Sequence, residues 1–294
     1  MNISIAYSPD TDDAFMVHAL KERLIDWQGF TFTFMRADIQ ELNARACHSE
    51  FDITAISVAA YPALHKHYAL MPVGASVGDQ FGPSIVVHEN SPIETIDDLT
   101  DTTIGVPGIQ TTAFYAAREL LPSFQAKPTY FLDIPDMVRE GQTEAGILIH
   151  ELQLEHTPHG LRKIADLGSL WHQRFALPLP LGANAIHRRL GPDLMKKLNA
   201  LYLESIEYGL THREKTLREA SAHAAAGYSD QSMSNRYIDM YVNHDSVTLS
   251  KQVISAMEQL YKSGAEHGLC RALGRDDFIV ANLFDRDHDE RNLK

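Results

Sequence analysis

Two cysteines, Cys47 and Cys270, are all that the chain carries in 294 residues, and neither sits in a CxxC pair. That excludes a disulfide framework and a zinc ribbon. Long apolar runs are missing as well: no stretch approaches the roughly 20 residues that a membrane helix needs. Positive charge is scarce, with 26 lysines and arginines against 39 acidic residues and a formal net charge of −13. Such a surface opposes nonspecific attraction to nucleic acid and anionic lipid, and no Lys/Arg block is present to follow a phosphate backbone. Neither nucleic acid nor membrane is expected as a partner. GxGxxG, GxxxxGK[ST] and GxSxG are absent, so dinucleotide binding, P-loop chemistry and a serine-hydrolase elbow are unsupported. Residues 1–9 lack a basic region, a long apolar stretch and a small-residue cleavage site. No signal peptide is expected there, and a cytoplasmic location is expected.

What is present is ordinary globular material, 44% hydrophobic and 22% charged, in a chain longer than one typical core. A domain prior of roughly 100–200 residues suggests two lobes. Short apolar runs alternate with longer amphipathic ones, the βα pattern of mixed, mostly parallel sheets covered by helices. Strands are expected at residues 3–7, 30–35, 52–57, 84–88, 103–106, 128–132 and 146–149, with helices at 12–24, 39–46, 112–121 and 134–140. The run 84–88 leaves the first lobe, and the chain returns near 182. Lobe 1 is therefore assigned residues 1–86 and 182–294, and lobe 2 residues 87–181. From Pro192 the pattern is helical: Leu194, Leu198, Leu201, Tyr202 and Ile206 share one face, and Thr211 with Glu214 spells a capping box for the next helix. A lobe interrupted by another, with two crossings, makes a hinged cleft suited to a small ligand.

Several constellations could carry chemistry in that cleft. His150 follows the apolar run Ala145-Gly146-Ile147-Leu148-Ile149, and in α/β sheets ligands sit beyond strand carboxyl ends. An imidazole there suits a general base, although a strand-end histidine can equally serve only to bond backbone. Gly105-Val106-Pro107-Gly108-Ile109-Gln110-Thr111-Thr112 is a strand, a glycine-bearing loop and a helix start. The hydroxyls of Thr111 and Thr112, with the free N–H groups of the first turn, could accept a carboxylate or phosphate; Thr111 could also be a plain N-cap. Ser57, after the strand containing Ala55 and Ile56, faces the same crevice. Ser8, Asp10 and Asp12 follow the first strand as cap or cleft lining. A haloacid-dehalogenase reading of that segment would need a hydroxyl where Ala14 stands. His150, Glu151, Glu155, His156 and His159 match no standard zinc spacing, and Pro158 interrupts any helix, so no metal is expected.

Ile147-Leu148-Ile149-His150-Glu151, Gly160-Leu161, Asp166-Leu167-Gly168, Trp171 and Leu177-Pro178-Leu179-Pro180-Leu181-Gly182 resemble the 1,4-dihydroxy-6-naphthoate synthase family of the futalosine route to menaquinone. Ser8-Pro9, Asp52-Ile53-Thr54, Ser57, Ala59-Ala60-Tyr61, Gly82-Pro83 and Thr111-Thr112 match the same pattern in order, and the region of Tyr241-Val242-Asn243 fits as well. The resemblance implies a type II periplasmic-binding-protein-like fold that stays in the cytoplasm. It implies a cofactor-independent lyase, without metal, that converts cyclic dehypoxanthine futalosine to 1,4-dihydroxy-6-naphthoate and releases a sugar-derived fragment. His150 becomes the base by match, and Ala55, Ile56, Ser57, Thr111 and Thr112 the contacts of a substrate bearing a carboxylate. Two departures stand out. The family's Ser-Pro-Cys-Pro-Asn-Asp is Ser8-Pro9-Asp10-Thr11-Asp12-Asp13 here, and a Thr-Gly pair before the Leu-Pro run is Phe175-Ala176.

Two other functions sit on the same architecture: a non-catalytic small-molecule-binding protein and a chorismate dehydratase. Turnover separates the first from a lyase, and assays against both substrates separate the second. The oligomeric state is open, with a homodimer among the options.

Overall fold

A computed structural model describes residues 1–154, 160–221 and 231–278. Eleven strands are described: β1 (Asn2–Tyr7), β2 (Thr31–Arg36), β3 (Ile53–Ser57), β4 (Tyr68–Leu70), β5 (Ser76–Gly78), β6 (Ser84–His88), β7 (Thr103–Val106), β8 (Gln125–Pro128), β9 (Ala145–Leu148), β10 (Leu161–Asp166) and β11 (Leu179–His187). The first sheet has the order β2-β1-β3-β11-β4, with β5 also pairing β11. The second has the order β10-β6-β9-β7-β8. The chain leaves the first sheet between β5 and β6 and returns to it with β11. Each sheet is mixed: β1 runs parallel to β2 and β3, and β7 parallel to β8 and β9, whereas β11 and β6 pair antiparallel with their neighbours.

Burial explains why the strands read as they do. β9, Ala-Gly-Ile-Leu, is buried throughout and lies between β6 and β7, so it shows the continuous apolar run of a strand covered on both faces. β8, Gln-Ala-Lys-Pro, is largely exposed at the sheet's edge. This corrects the expected strand at residues 128–132. Proline has no N–H for a ladder, so Pro128 ends the strand, and Phe131–Asp133 forms a 3-10 turn instead. β4, β5 and β10 lack a sequence signal strong enough to stand out.

Helix Thr11–Lys21 is buried along almost its whole length against helix Pro192–Thr211. Ser205 ties the two: its hydroxyl donates to Met16 O at 2.8 Å and accepts from Leu20 N at 3.1 Å. The expected capping box at Thr211 does not form. Helix Pro192–Thr211 runs through that residue, and the Thr211 hydroxyl donates back to Glu207 O at 2.8 Å. The helix therefore satisfies Thr211 locally, and Arg213–Ser221 starts separately.

Two of the motif segments are packing devices. Leu167 N donates to Pro83 O, and a Cβ on Gly168 would lie 2.0 Å from Phe81 O, so only glycine lets these backbones meet. Trp171 is fully buried and packs against the tilted ring of Phe175, centroids 4.5 Å apart. Ala176 ends helix Leu167–Phe175 with φ 53°, a left-handed position that favours glycine. No helix among the described residues is long and apolar enough to cross a membrane.

Candidate functional site

A cavity enclosing about 610 Å³ of empty space, its open mouth included, lies between the two sheets. Its walls include the turn after β1, the end of β3, the start of helix Thr112–Leu120 and the turn after β9, with residues of β5, β11 and helix Gln231–Tyr241 completing them. Of the residues singled out in the sequence, Ser8, Asp10, Asp12, Ala55, Ile56, Ser57, Thr111, Thr112 and His150 all line it. Phe175 and Ala176 do not, so that departure from the family pattern lies at a helix end. Glu155, His156 and His159 fall outside the described residues.

His150 is not the last residue of its strand. β9 ends at Leu148, and His150 opens a 3-10 turn with φ 54°. A left-handed histidine is uncommon and is held only where the surroundings over-determine it. Here Phe131 packs edge-on against the ring at 4.7 Å, and Nδ1 lies 2.6 Å from Asp10 Oδ2. Both side chains are buried, and Nε2 has no hydrogen-bond partner among the described residues. Beside this contact, Thr11 donates from its backbone N–H at 2.8 Å and from its hydroxyl to Glu151 Oε1. Two adjacent residues after β1 thus grip two adjacent residues after β9.

The rest of this end is crowded with carboxylates. Asp10, Asp12 and Asp13 each place an oxygen within 4.8 Å of the others. Protein donors already engage them: the Ser8 hydroxyl donates to Asp10, the Ser76 hydroxyl to Asp12, and Ser8 N to Asp13 at 2.9 Å. Burial first, then the charges of Asp12, Asp13 and Glu151, hold the Asp10 carboxyl well above the usual range. Burial and Asp13 push Asp12 up to about 7, against the lowering effect of Ser76. Three acids so close could hold a cation; protein donors engage at least one oxygen of each, and burial of neighbouring acids favours sharing of protons among them.

The opposite end is built differently. The Thr111 hydroxyl donates to Gly108 O at 2.8 Å and accepts from Phe114 N, an N-cap bond. The Thr112 hydroxyl accepts from Ala59 N at 3.1 Å and donates to Leu181 O at 2.9 Å, tying the helix to the strands around it. Both hydroxyl protons are committed to the protein, which narrows the sequence expectation. The N–H groups of Thr112 and Ala113, which helix geometry leaves without internal acceptors, are what this end offers an anion. Ser57 is clamped by Asn43, whose Nδ2 donates to Oγ at 3.1 Å and whose Oδ1 accepts from Ser57 N. Ala55, Ile56, Ile149 and Leu181 supply apolar wall.

The sequence profile described as "Menaquinone biosynthesis" matches residues 3–266. The chain belongs to that family. It is 30% identical over 281 residues to a 1,4-dihydroxy-6-naphthoate synthase of Streptomyces coelicolor, covering 93% of this chain and 96% of the relative. It is 28% identical over 281 residues to the Thermus thermophilus protein of the same name, covering 94% of this chain and 99% of that protein. A crystal structure of an Archaeoglobus fulgidus protein superposes with a TM-score of 0.84 at 33% identity, covering 91% of this chain and 98% of that one. The fold is shared more widely. A Candida albicans protein with the generic periplasmic binding protein fold aligns with a TM-score of 0.72 at 14% identity, covering 90% of each chain. These relationships support an enzyme of menaquinone biosynthesis on a two-lobed, binding-protein-like α/β fold.

Within this family member, the sequence reading missed Asp13, Ser76, Gln153, Tyr237 and the grip of Thr11 on Glu151. Tyr237 and Tyr241 lie four residues apart on helix Gln231–Tyr241, and both line the cavity. Tyr241 Oη donates to Gln153 Oε1 at 3.2 Å. Their helical spacing reads as core, and only the assembled fold turns that face toward the site.

Proposed function

We propose that the protein is a carbon–carbon lyase that converts cyclic dehypoxanthine futalosine to 1,4-dihydroxy-6-naphthoate, with His150 as general base. The observation that carries this reading is the buried Nε2 of His150, which lines the cavity and has no partner among the described residues. Proton removal next to a carbonyl starts the carbon–carbon cleavage, and formation of an aromatic product makes the sequence downhill. The steps redistribute electron pairs within one substrate, so the proposal needs neither a metal nor an organic cofactor.

The two ends of the cavity suit the two ends of such a substrate. The first turn of helix Thr112–Leu120 meets the carboxylate through backbone N–H groups and the helix dipole. Ala55, Ile56, Ile149 and Leu181 cover the ring, while the carboxylate-rich end accepts hydrogen bonds from sugar hydroxyls. Among the described residues that line the cavity none is lysine or arginine, so in this proposal the substrate carboxylate depends on the helix start. Enclosure between two lobes orients the reacting atoms and excludes water. The proposal places the enzyme in the cytoplasm, acting on a small molecule without nucleic acid or membrane.

The test is incubation of purified protein with cyclic dehypoxanthine futalosine and, separately, with chorismate, read by mass spectrometry. Formation of dihydroxynaphthoate, abolished in a folded His150→Ala variant, is the expected result. Unchanged turnover in that variant removes His150 from the base role. Tight binding without turnover points instead to a binding protein.

A further inference from the structure

The turn after β1 and the turn after β9 belong to different sheets, yet Asp10 from one and His150 from the other meet at 2.6 Å. We infer that Asp10 is a positioning residue: across the cleft it accepts the proton of His150 Nδ1 and so holds the tautomer whose Nε2 lone pair is free to take a proton from the substrate. The inference rests on the proposed role of His150 as base.

At 2.6 Å the two atoms must share a proton, because opposed lone pairs would repel. The other oxygen of Asp10 already accepts from the Ser8 hydroxyl. Burial raises the Asp10 carboxyl, but two donors, one on each oxygen, offset that burial and favour the carboxylate, which leaves the proton on Nδ1; a neutral imidazole protonated there has its lone pair at Nε2. That nitrogen is the one left buried without a partner among the described residues. The edge contact with Phe131 and the left-handed backbone fix the ring's plane and direction. Thr11 and Glu151 clasp the same junction, so opening the cleft there parts both pairs, and the base is oriented only when the lobes are closed. The logic is that of any base whose second nitrogen is held by a carboxylate, with the difference that here the carboxylate comes from the opposite lobe.

The test has two independent readouts. In the full-length chain with 15N-labelled histidine, imidazole correlation spectra over a pH series report the tautomer of His150, whose signals are assigned by their loss in His150→Ala. The expected neutral form is Nδ1–H. In Asp10→Asn the Ser8 hydroxyl keeps the amide oxygen, the NH2 turns toward Nδ1, and the proton moves to Nε2. Turnover of cyclic dehypoxanthine futalosine then falls on the order of 10²–10⁴-fold in kcat, with KM close to that of the unmodified protein. An Nε2–H tautomer in the unmodified protein overturns the inference. So does an Asp10→Asn variant that keeps both the tautomer and kcat. If Asp10→Asn does not fold, the spectrum of the unmodified protein still decides. If the tautomer follows Asp10 but no futalosine derivative turns over, the positioning stands and the substrate reading alone is lost.

Discussion

The cavity has two ends made from opposite materials. At the His150 end, charged side chains are taken out of water and packed against each other: Asp10 and Asp12 are 8% and 2% exposed. At the Thr111 end none of the described lining residues has an ionisable side chain, and the polar groups on offer are backbone N–H groups at a helix start. The first arrangement is costly to bury and sensitive to protonation; the second is already made by the helix and is indifferent to pH. The proposed function puts proton transfer at the end where charge responds to pH, and anion binding at the end where it does not.

The contrast can be broken most directly at His150. His150→Ala should lower the rate of dihydroxynaphthoate formation about 10²–10⁴-fold, the usual worth of a general base, while leaving the far-UV circular dichroism unchanged. A variant with intact turnover would end the division of labour between the two ends.

Next in size is the cost of the buried acids. Asp12 is raised from 3.8 to about 7 in the folded protein, so between those values the folded state binds more protons than the unfolded one. Stability from this group is therefore lost as pH rises through that window, by an amount on the order of a few kcal/mol. Asp12→Asn should be more stable than the unmodified protein above neutrality, and this advantage should shrink toward pH 4. Urea unfolding of both proteins across pH measures it, and an advantage that grows toward acid would contradict the sign.

A smaller effect is expected at the other end. Thr111→Val removes an N-cap acceptor and should cost about 0.5–2 kcal/mol of stability. Weaker ordering of the first turn should also raise KM, with little change in kcat or in the pH dependence of either. A kcat loss as large as that of His150→Ala would mean that the ends are not separable. Ala176→Gly, remote from both ends, is the control. Relief of the left-handed φ at a helix end should add about 0.5–1 kcal/mol to stability and leave turnover alone.

Much of the frame was legible because it rests on local rules. The apolar run of β9, the helix start at Thr111 and the spacing of Leu198, Leu201 and Ile206 follow from burial and periodicity within a few residues of chain. The resemblance carried by residues 147–151 and 177–182 extended that to the family. What failed was local in appearance but settled by neighbours: the edge strand ended early at Pro128, and the capping pattern at Thr211 was overridden because the preceding helix continued. Asp10, Asp12 and Asp13 looked like ordinary residues of a helix start. Sequence alone has no means to show that His150, about 140 positions away, would come to rest against one of them.

The amino-acid sequence by itself determined the alternation of strands and helices, the fold family and the set of residues around the ends of β1, β3 and β9. Those depend on side-chain chemistry and short-range spacing. The tertiary structure decided which of them touch. It set Asp10 against His150 and Glu151 against Thr11, and it committed the threonine hydroxyls to protein partners. Such contacts join segments far apart in the chain and from different sheets, so their distances are fixed only when both sheets have folded and closed on each other.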